Sequence, residues 1–566
     1  MSALRIVTRP CAEADRRRLE EAGVHPLLAR LFAARRIRSR TELEEDFSRL
    51  IPPANLTHAD AAARLLADAI AAGKKLLIIA DYDADGATAC AVGVRALRAF
   101  GARVDYLVPD RFKLGYGLSP ELVDLAAAQN PDLLITVDNG IASVAGVARA
   151  RELGLGTLIT DHHLPGDTLP QADCIVNPNQ AGCGFPSKCI AGVGVMFYVM
   201  LALRAELRAR GAFAGCAEPN LAALTDLVAL GTVADVVPLD ANNRILVAQG
   251  LRRLREGRGK AGLAALARAG GREAARTTCF DLGFILGPRL NAAGRLSDMR
   301  LGIECLLTDD PSQAANWAQE LDRLNRERRK IEAEMLEDAE AILAGMPTET
   351  DRATLTLFEP GWHAGVVGLI ASRVRERVHR PTLCFARGGE GELRGSGRSI
   401  PGLHLRDCLD LVSKRAPGLI LRFGGHAQAA GLSLREADLP AFRALFEDAA
   451  AECLPPEARQ RVVETDGALE SGYLSLDVAQ MLENQIWGQG FPPPLFCDEF
   501  LLENQRIVGE RHLKLKLRLG STRIEAMRFN SLGPMPPRFR AAYRLGVNDF
   551  NGMKTPQVSI EHAEPA

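Results

Sequence analysis

The sequence predicts an α/β protein, with two α/β domains joined by one long helix and followed by a small β-rich module. Three observations carry that expectation. From about residue 61, short apolar runs alternate with Ala-rich helical stretches, the pattern of βαβ units and a parallel sheet. Residues 311–345, "PSQAANWAQELDRLNRERRKIEAEMLEDAEAILAG", contain no internal Gly or Pro. Strong helix formers, a Pro at the start and a Gly at the end predict one continuous helix there. After "QGFPPPLF" the polar–apolar period becomes two, which calls for antiparallel strands in a small barrel or sandwich.

In chain order, residues 1–60 form an Arg-rich segment that ends in "LIPPANLTH", where the Pro-Pro pair reads as an extended connector. This segment is expected to pack on the first α/β domain, residues 61–310. There "KLLIIAD" precedes the helical "TACAVGVRALRAFG", "DLLITVDNG" precedes "SVAGVARARELG", and "GTLITDHH" follows. The linking helix takes 311–346. The second α/β domain, 347–455, opens on "ATLTLFEPGWHAGVVGLIASRVRERVHRPTLCFA", and the terminal module takes 456–566, where "HLKLKLRLG", "TRIEAMRF", "RAAYRLGV" and "TPQVSIEH" are the candidate strands.

A chain of 566 residues exceeds one core. Its 47% hydrophobic and 25% charged residues match a globular protein. There is no run of eighteen uncharged apolar residues, and the first residues are charged throughout. Neither a membrane span nor a signal peptide is expected, and the expected compartment is the cytoplasm. Twelve cysteines occur without a CxxC pair. Cys174, Cys183 and Cys189 match no common zinc spacing, so reduced and mostly buried thiols are expected. A formal net charge of −1 decides nothing about nucleic acid, because binding footprints are local patches.

The chemistry is announced where acids meet strand ends. Asp81 follows "LLIIA", Asp138 follows "LLITV", and Asp161, His162 and His163 follow "GTLIT". Ligands of an open parallel sheet bind at the carboxyl ends of its strands, so three predicted strands deliver acids or imidazoles to one edge. Asp235, in "DLVALGTVADVVPL", is a fourth contributor. Taken singly, each piece has a plainer meaning. "DADG" resembles part of a calcium loop, yet the loop's terminal Glu is absent, and "VDNG" alone is an ordinary turn. Together they form a concentration of carboxylate that needs a counter-charge. Oxygen-rich sites with an imidazole suit Mn²⁺ or Mg²⁺. The number of candidate ligands fits two ions about 3.5–4 Å apart better than one.

"DYDADG", "VDNG", "DHH" and "GTVAD", in this order and spacing, resemble the DHH phosphoesterase superfamily, and within it the bacterial exonucleases specific for single-stranded DNA. The resemblance extends through "HPLLARLFAARRI", "GPRLNAAGRL", "GWHAGVVGLIASRVRERVHRP", "RFGGHAQAAGLSL" and the β-rich tail. It implies a DHH catalytic domain, a linking helix, a DHH-associated domain and an OB-fold. It implies 5′→3′ hydrolysis of single-stranded DNA to nucleoside 5′-monophosphates in recombination and repair. Asp83, Asp85, Asp138, His162 and Asp235 match the metal ligands, and His163 matches the histidine near the scissile phosphate. Asp81 joins His163 as a catalytic candidate, either an outer ligand or a brace. A single-strand-binding protein and a helicase are the implied partners. Three departures stand out: Ala80 replaces a frequent Gly, Ala89 a frequent Ser, and Phe491 an Asn before the terminal module.

Given that resemblance, Arg289, Asn291 and Arg295 are candidate phosphate contacts, since arginines among small residues can grip phosphate oxygens closely. His363, Arg373, Arg398 and His426 lie in Gly-rich loops and at a helix start, and are expected to hold the nucleic-acid backbone. In the tail, Phe529, Tyr543 and Phe550 are candidate stacking platforms. Two rival functions share the motifs: a phosphodiesterase for oligonucleotides or cyclic dinucleotides, and an inactive DNA-binding scaffold.

Overall fold

The computed structural model describes residues 4–110, 116–346, 352–389, 391–550 and 552–565. The chain divides into two units. One comprises Thr8–Leu324 and Thr465–Ala566, the other Met1–Val7 and Asn325–Glu464.

The first unit is built on five strands: β1 (Lys75–Ala80), β2 (Arg103–Leu107), β3 (Leu133–Val137), β4 (Gly156–Thr160) and β5 (Cys174–Val176). All pair in parallel, in the order β2-β1-β3-β4-β5. β3 is buried at every position and β1 at all but its first, as strands with both faces covered must be. This strand order has its switch point between β1 and β3, where the crossovers leave a crevice at the carboxyl ends. Four helices shape that edge: α1 (Ala84–Ala99), α2 (Gly192–Ala209), α3 (Thr225–Ala234) and α4 (Gly287–Leu296). Gly93 of α1 lets the helix lie against Met196 and Ile78, since an added Cβ would stand 2.6 and 2.9 Å from them.

The long helix, α5 (Pro311–Gly345), is continuous as expected, with its first residues in one unit and its remainder in the other. The second unit carries a mixed sheet of β6 (Leu355–Phe358), β7 (Thr382–Gly389), β8 (Glu392–Arg398), β9 (Arg422–Gly425) and β10 (Ala429–Arg435), in the order β9-β10-β8-β7-β6. Helix α6 (Val367–Val378) supplies the turn-to-helix start seen in the sequence.

The tail is a closed barrel of β11 (Phe496–Val508), β12 (His512–Leu519), β13 (Thr522–Arg528), β14 (Arg538–Phe550) and β15 (Met553–Pro565), in the order β11-β12-β13-β15-β14. It is not wholly antiparallel, because β13 and β15 pair in parallel. Strand directions cannot alternate around a closed ring of odd number, so one parallel pair is unavoidable. Tyr543 corrects an expectation. Its ring is fully buried against Phe496 and Phe500, and its hydroxyl donates to Asp498 Oδ2 at 2.8 Å. It is barrel core and cannot stack on a base. Phe529 is half exposed, edge-on to His512, whereas the Phe550 side chain lies outside the described residues.

Residues of the N-terminal segment are tied into this same unit. Arg35 donates to both Asp466 oxygens at 2.9 and 3.0 Å and lies over the Trp487 ring. Phe491, the departure noted before the barrel, is buried. It stacks on Trp487 at 5.3 Å and carries the Arg244 guanidinium over its face at 4.5 Å. All twelve cysteines are free, eight of them buried.

Candidate metal centre

Each acid of the crevice is placed by a local device. Asp83 is the N-cap of α1, and its Oδ1 accepts from the Asp85 and Gly86 amides at 2.9 and 3.0 Å. A short carboxylate is well suited to that task. Asp85, in the first turn, is buried, and its two oxygens accept from Gly192 N at 2.6 Å and Val193 N at 2.9 Å at the start of α2. Position 192 must be glycine, since an added Cβ would stand 2.7 Å from Asp138. Asp138 leaves β3 with a φ of 63°, a left-handed conformation that Asp and Asn tolerate better than other side chains. Asp235 is the C-cap of α3, and the next residue, Val236, has a φ of 62°. That value is strained for a β-branched side chain, and such strain clusters at functional sites.

The side chains converge. His162 Nε2 lies 3.1 Å from Asp138 Oδ1, 3.5 Å from Asp235 Oδ2 and 4.0 Å from Asp85 Oδ2. Among the described residues, three sets offer ligand atoms within 4.8 Å of one another: Asp138, His162 and His163; Asp85, His162 and Asp235; and Asp81, Asp83 and Asp138. These sets include all five candidate ligands and Asp81, and no cysteine.

Burial first, then the neighbouring Asp83, pushes the Asp85 carboxyl up to about 7, against the pull of the Val193 and Gly192 amides. Burial and the surrounding aspartates hold Asp138 and Asp235 well above the usual carboxylate range. Such groups take up either protons or cations. Asp138 Oδ1 is buried and accepts no hydrogen bond, so an acceptor is held ready for a cation. The donor set, carboxylate oxygens with one or two imidazoles, fits hard divalent ions.

Asp161 is not among the site residues that the sequence singles out, although it opens the "DHH" motif. Its Oδ1 accepts from His162 N, His163 N and His163 Nδ1 at 2.7, 3.1 and 2.7 Å, and its Oδ2 from Ile141 N at 2.9 Å. Burial pulls His163 down, but Asp161 outweighs it, and the imidazole is held up to about 9. Burial raises Asp161, yet the hydrogen bond from His163 leaves it below the usual range. Tyr116 adds its hydroxyl to the Asp138 carbonyl at 3.2 Å and to the His163 ring at 3.1 Å. No sequence signal marks it.

"GPRLNAAGRL" is α4, and part of it braces the loop that carries Asp81, Asp83 and Asp85. Asn291 Oδ1 accepts from Ala84 N at 2.8 Å. Arg289 is buried, paired with Asp322 at 2.8 Å, and donates to the Ile285 carbonyl. Arg295 stands in the last turn, partly exposed. Gly294 lies against the loop, where an added Cβ would be 1.9 Å from the Tyr82 carbonyl oxygen. Gly294→Ala is therefore expected to displace the Asp81–Asp85 turn and weaken Mn²⁺ binding by about tenfold or more. Calorimetric titration checks this, with Gly184→Ala as control, because nothing lies within 4 Å of a Cβ at that position.

In the second unit, Arg398 ends β8 and donates to Ser396 Oγ and the Gly397 carbonyl at 3.2 and 2.7 Å. Gly368 of α6 packs on it, its added Cβ 3.1 Å from Arg398 Nη2. His363 Nδ1 accepts from Gly365 N at 3.1 Å in the turn before α6. Arg373 is drawn to Glu332 at 3.0 Å. His426 stands in the β9–β10 turn, its amide donating to the Ala429 carbonyl at 2.8 Å, and Ala429 in turn is registered opposite Arg398.

A parallel sheet that gathers aspartates and a DHH histidine pair at its switch point defines a DHH-family protein. Residues 75–232 match the DHH family, N-terminal domain; residues 351–452 match the DHHA1 domain, and 465–562 the RecJ OB domain. The single-stranded-DNA-specific exonuclease RecJ of Dickeya dadantii (strain 3937) is 51% identical over 95% of this chain and 96% of its own. That of Escherichia coli (strain K12) is 48% identical over 96% of each. The crystal structure of RecJ in complex with Mn²⁺ from Thermus thermophilus matches at TM-score 0.82 and 32% identity, over 100% of this chain and 79% of that one. The corresponding Mg²⁺ complex matches at TM-score 0.78 and 31% identity, over 100% and 78%. The chain belongs to the RecJ family of single-stranded-DNA-specific exonucleases. No helix among the described residues is long and apolar enough to cross a membrane.

Proposed function

We propose that this protein is a metal-dependent exonuclease that hydrolyses single-stranded DNA from a 5′ end, releasing nucleoside 5′-monophosphates in recombination and repair. The observation that carries the reading is the convergence of five ligand candidates at the sheet's switch point, in a chain about half identical to RecJ enzymes throughout. Asp83, Asp85, Asp138, His162 and Asp235 hold two Mn²⁺ or Mg²⁺ ions, the ions of the matched RecJ structures. When bound, the ions supply a nucleophile at neutral pH by acidifying water, and neutralise charge on the attacking and leaving oxygens.

The chain's own groups do the rest. Asp161 holds His163 cationic and aimed into the crevice, where it faces the scissile phosphate. Asp81 completes the acidic wall beside Asp83 and Asp138. Asn291 and Arg289 act on the phosphate indirectly, by fixing the loop and α4, while Arg295 is the member of that helix assigned to substrate. His363, Arg373, Arg398 and His426 hold the strand's backbone on the second unit, and the barrel follows the strand further. A single-strand-binding protein and a helicase supply such a substrate, and the cytoplasm is where the reaction belongs.

A time course on end-labelled single and double strands, with Mn²⁺, Mg²⁺ and EDTA arms, tests the reading. Mononucleotides should appear only from the single strand and only with metal. Equal attack on duplex, or hydrolysis in EDTA, would refute it.

A further inference from the structure

On the turn that packs against the end of α3, the surface carries an apolar feature that the metal chemistry does not use. Phe280 and Phe284 are 58% and 63% exposed, the two most exposed aromatic side chains among the described residues. They stand four residues apart and stack on each other, with centroids 4.7 Å apart and planes at 23°. Phe284 belongs to a π-helical turn, Leu282–Leu286, that leads into α4. Turns of this kind are rare and recur at functional sites. The turn is held in place from both sides. Ahead of it, Thr278 and Asp281 form a reciprocal capping pair, and Arg272 donates to Asp281 at 2.9 Å. Gly283 and Gly287 flank Phe284 and rest on the last residues of α3, with added Cβ atoms 3.2 Å from Val233 Cγ1 and 3.0 Å from Ala234 Cβ. Asp235 follows directly, and after it comes Val236, 61% exposed and strained. Two phenylalanines, stacked on each other and mostly exposed, thus stand on a braced element that packs against the last residues of the helix capped by Asp235.

We propose that Phe280 and Phe284 form a stacking ledge for bases of the substrate strand, and that the ledge favours strands whose bases are unpaired. The inference rests on the nuclease reading above, because the turn packs on the end of α3, where the candidate ligand Asp235 stands. A phenyl face offers no hydrogen bond, so it recognises the face common to every base and tolerates any sequence. Inside a duplex those faces are covered by neighbours in the stack and held there by pairing, whereas a single strand unstacks at little cost and presents them. A braced ledge also loses little freedom on binding.

The test compares the wild-type site with Phe280→Ala/Phe284→Ala and Phe280→Tyr/Phe284→Tyr, all in an Asp138→Asn background so that the strand survives. Fluorescence anisotropy with Mn²⁺ measures binding of a 5′-phosphorylated oligothymidylate and of an abasic strand of equal length. The alanine pair should weaken oligothymidylate binding by about tenfold or more, leave the abasic strand unaffected, and be rescued by the tyrosine pair. Unchanged binding, or equal weakening on both strands, would overturn the ledge. With Asp138 restored, the alanine loss should appear in KM for oligothymidylate, and a loss confined to kcat would equally overturn it. Failure of the wild-type protein to degrade oligothymidylate with Mn²⁺ would instead refute the nuclease reading. The two failures are therefore separable.

Discussion

Asp138→Asn is expected to abolish hydrolysis while making the metal-free protein harder to melt. Asparagine keeps the side-chain volume and tolerates the left-handed backbone at φ 63°, so the crevice should stay folded. It removes the charge that faces Asp85, Asp83, Asp235 and Asp81 and leaves only a neutral oxygen for His162, whose Nε2 lies 3.1 Å from the anionic Asp138 Oδ1. Turnover should fall by roughly a thousandfold or more. The stability gain follows from linkage. Asp85 is raised from an ordinary 3.8 to about 7, so the folded chain keeps a proton that the unfolded chain has released. The Asp85 contribution to metal-free stability is full below about 4 and is lost as pH rises towards and through about 7. Asp138 and Asp235 are displaced in the same direction. Melting curves in EDTA should show the wild type losing stability from acid to neutral pH, and the variant losing less. A variant that melts lower than the wild type at pH 8 would contradict this account.

Asp161→Asn should cost about a hundredfold in turnover at pH 8 and markedly less at pH 6. The amide keeps an oxygen near the His162 and His163 amides but loses the charge that holds His163 protonated up to about 9. In the variant, His163 should titrate nearer its ordinary 6.5, so the penalty widens as pH rises between the two values. The pH profile of kcat reads this directly. An equal loss at every pH would reduce Asp161 to a structural role.

The sequence points to the candidate metal centre because several of its acids and imidazoles follow strand ends, and the alternation of elements identifies those ends from a single chain. Asp81, Asp138 and His162 are legible for that reason, and the long helix because nothing between Pro311 and Gly345 could break it. The supports are not legible. Asn291 meets Ala84 across 207 residues, and nothing local in "GPRLNAAGRL" marks Arg289 as the partner of Asp322. Period-two alternation locates β12, β13, β14 and β15, but it misses β11, whose outer half is exposed on most of its residues. It also cannot say which aromatics face inward, which is why Tyr543 reads as a surface group. Phe280 and Phe284 show the converse, since no periodicity around them marks the exposed pair that the π-helical turn creates.

In the proposed site Asp83, Asp85, Asp138, His162 and Asp235 hold two ions at the switch point. Anomalous diffraction from a crystal of the protein grown with Mn²⁺ tests it most directly. Two peaks bounded by Asp83, Asp85, Asp138, His162 and Asp235 are predicted. An empty crevice, or manganese bound only elsewhere on the chain, would contradict it.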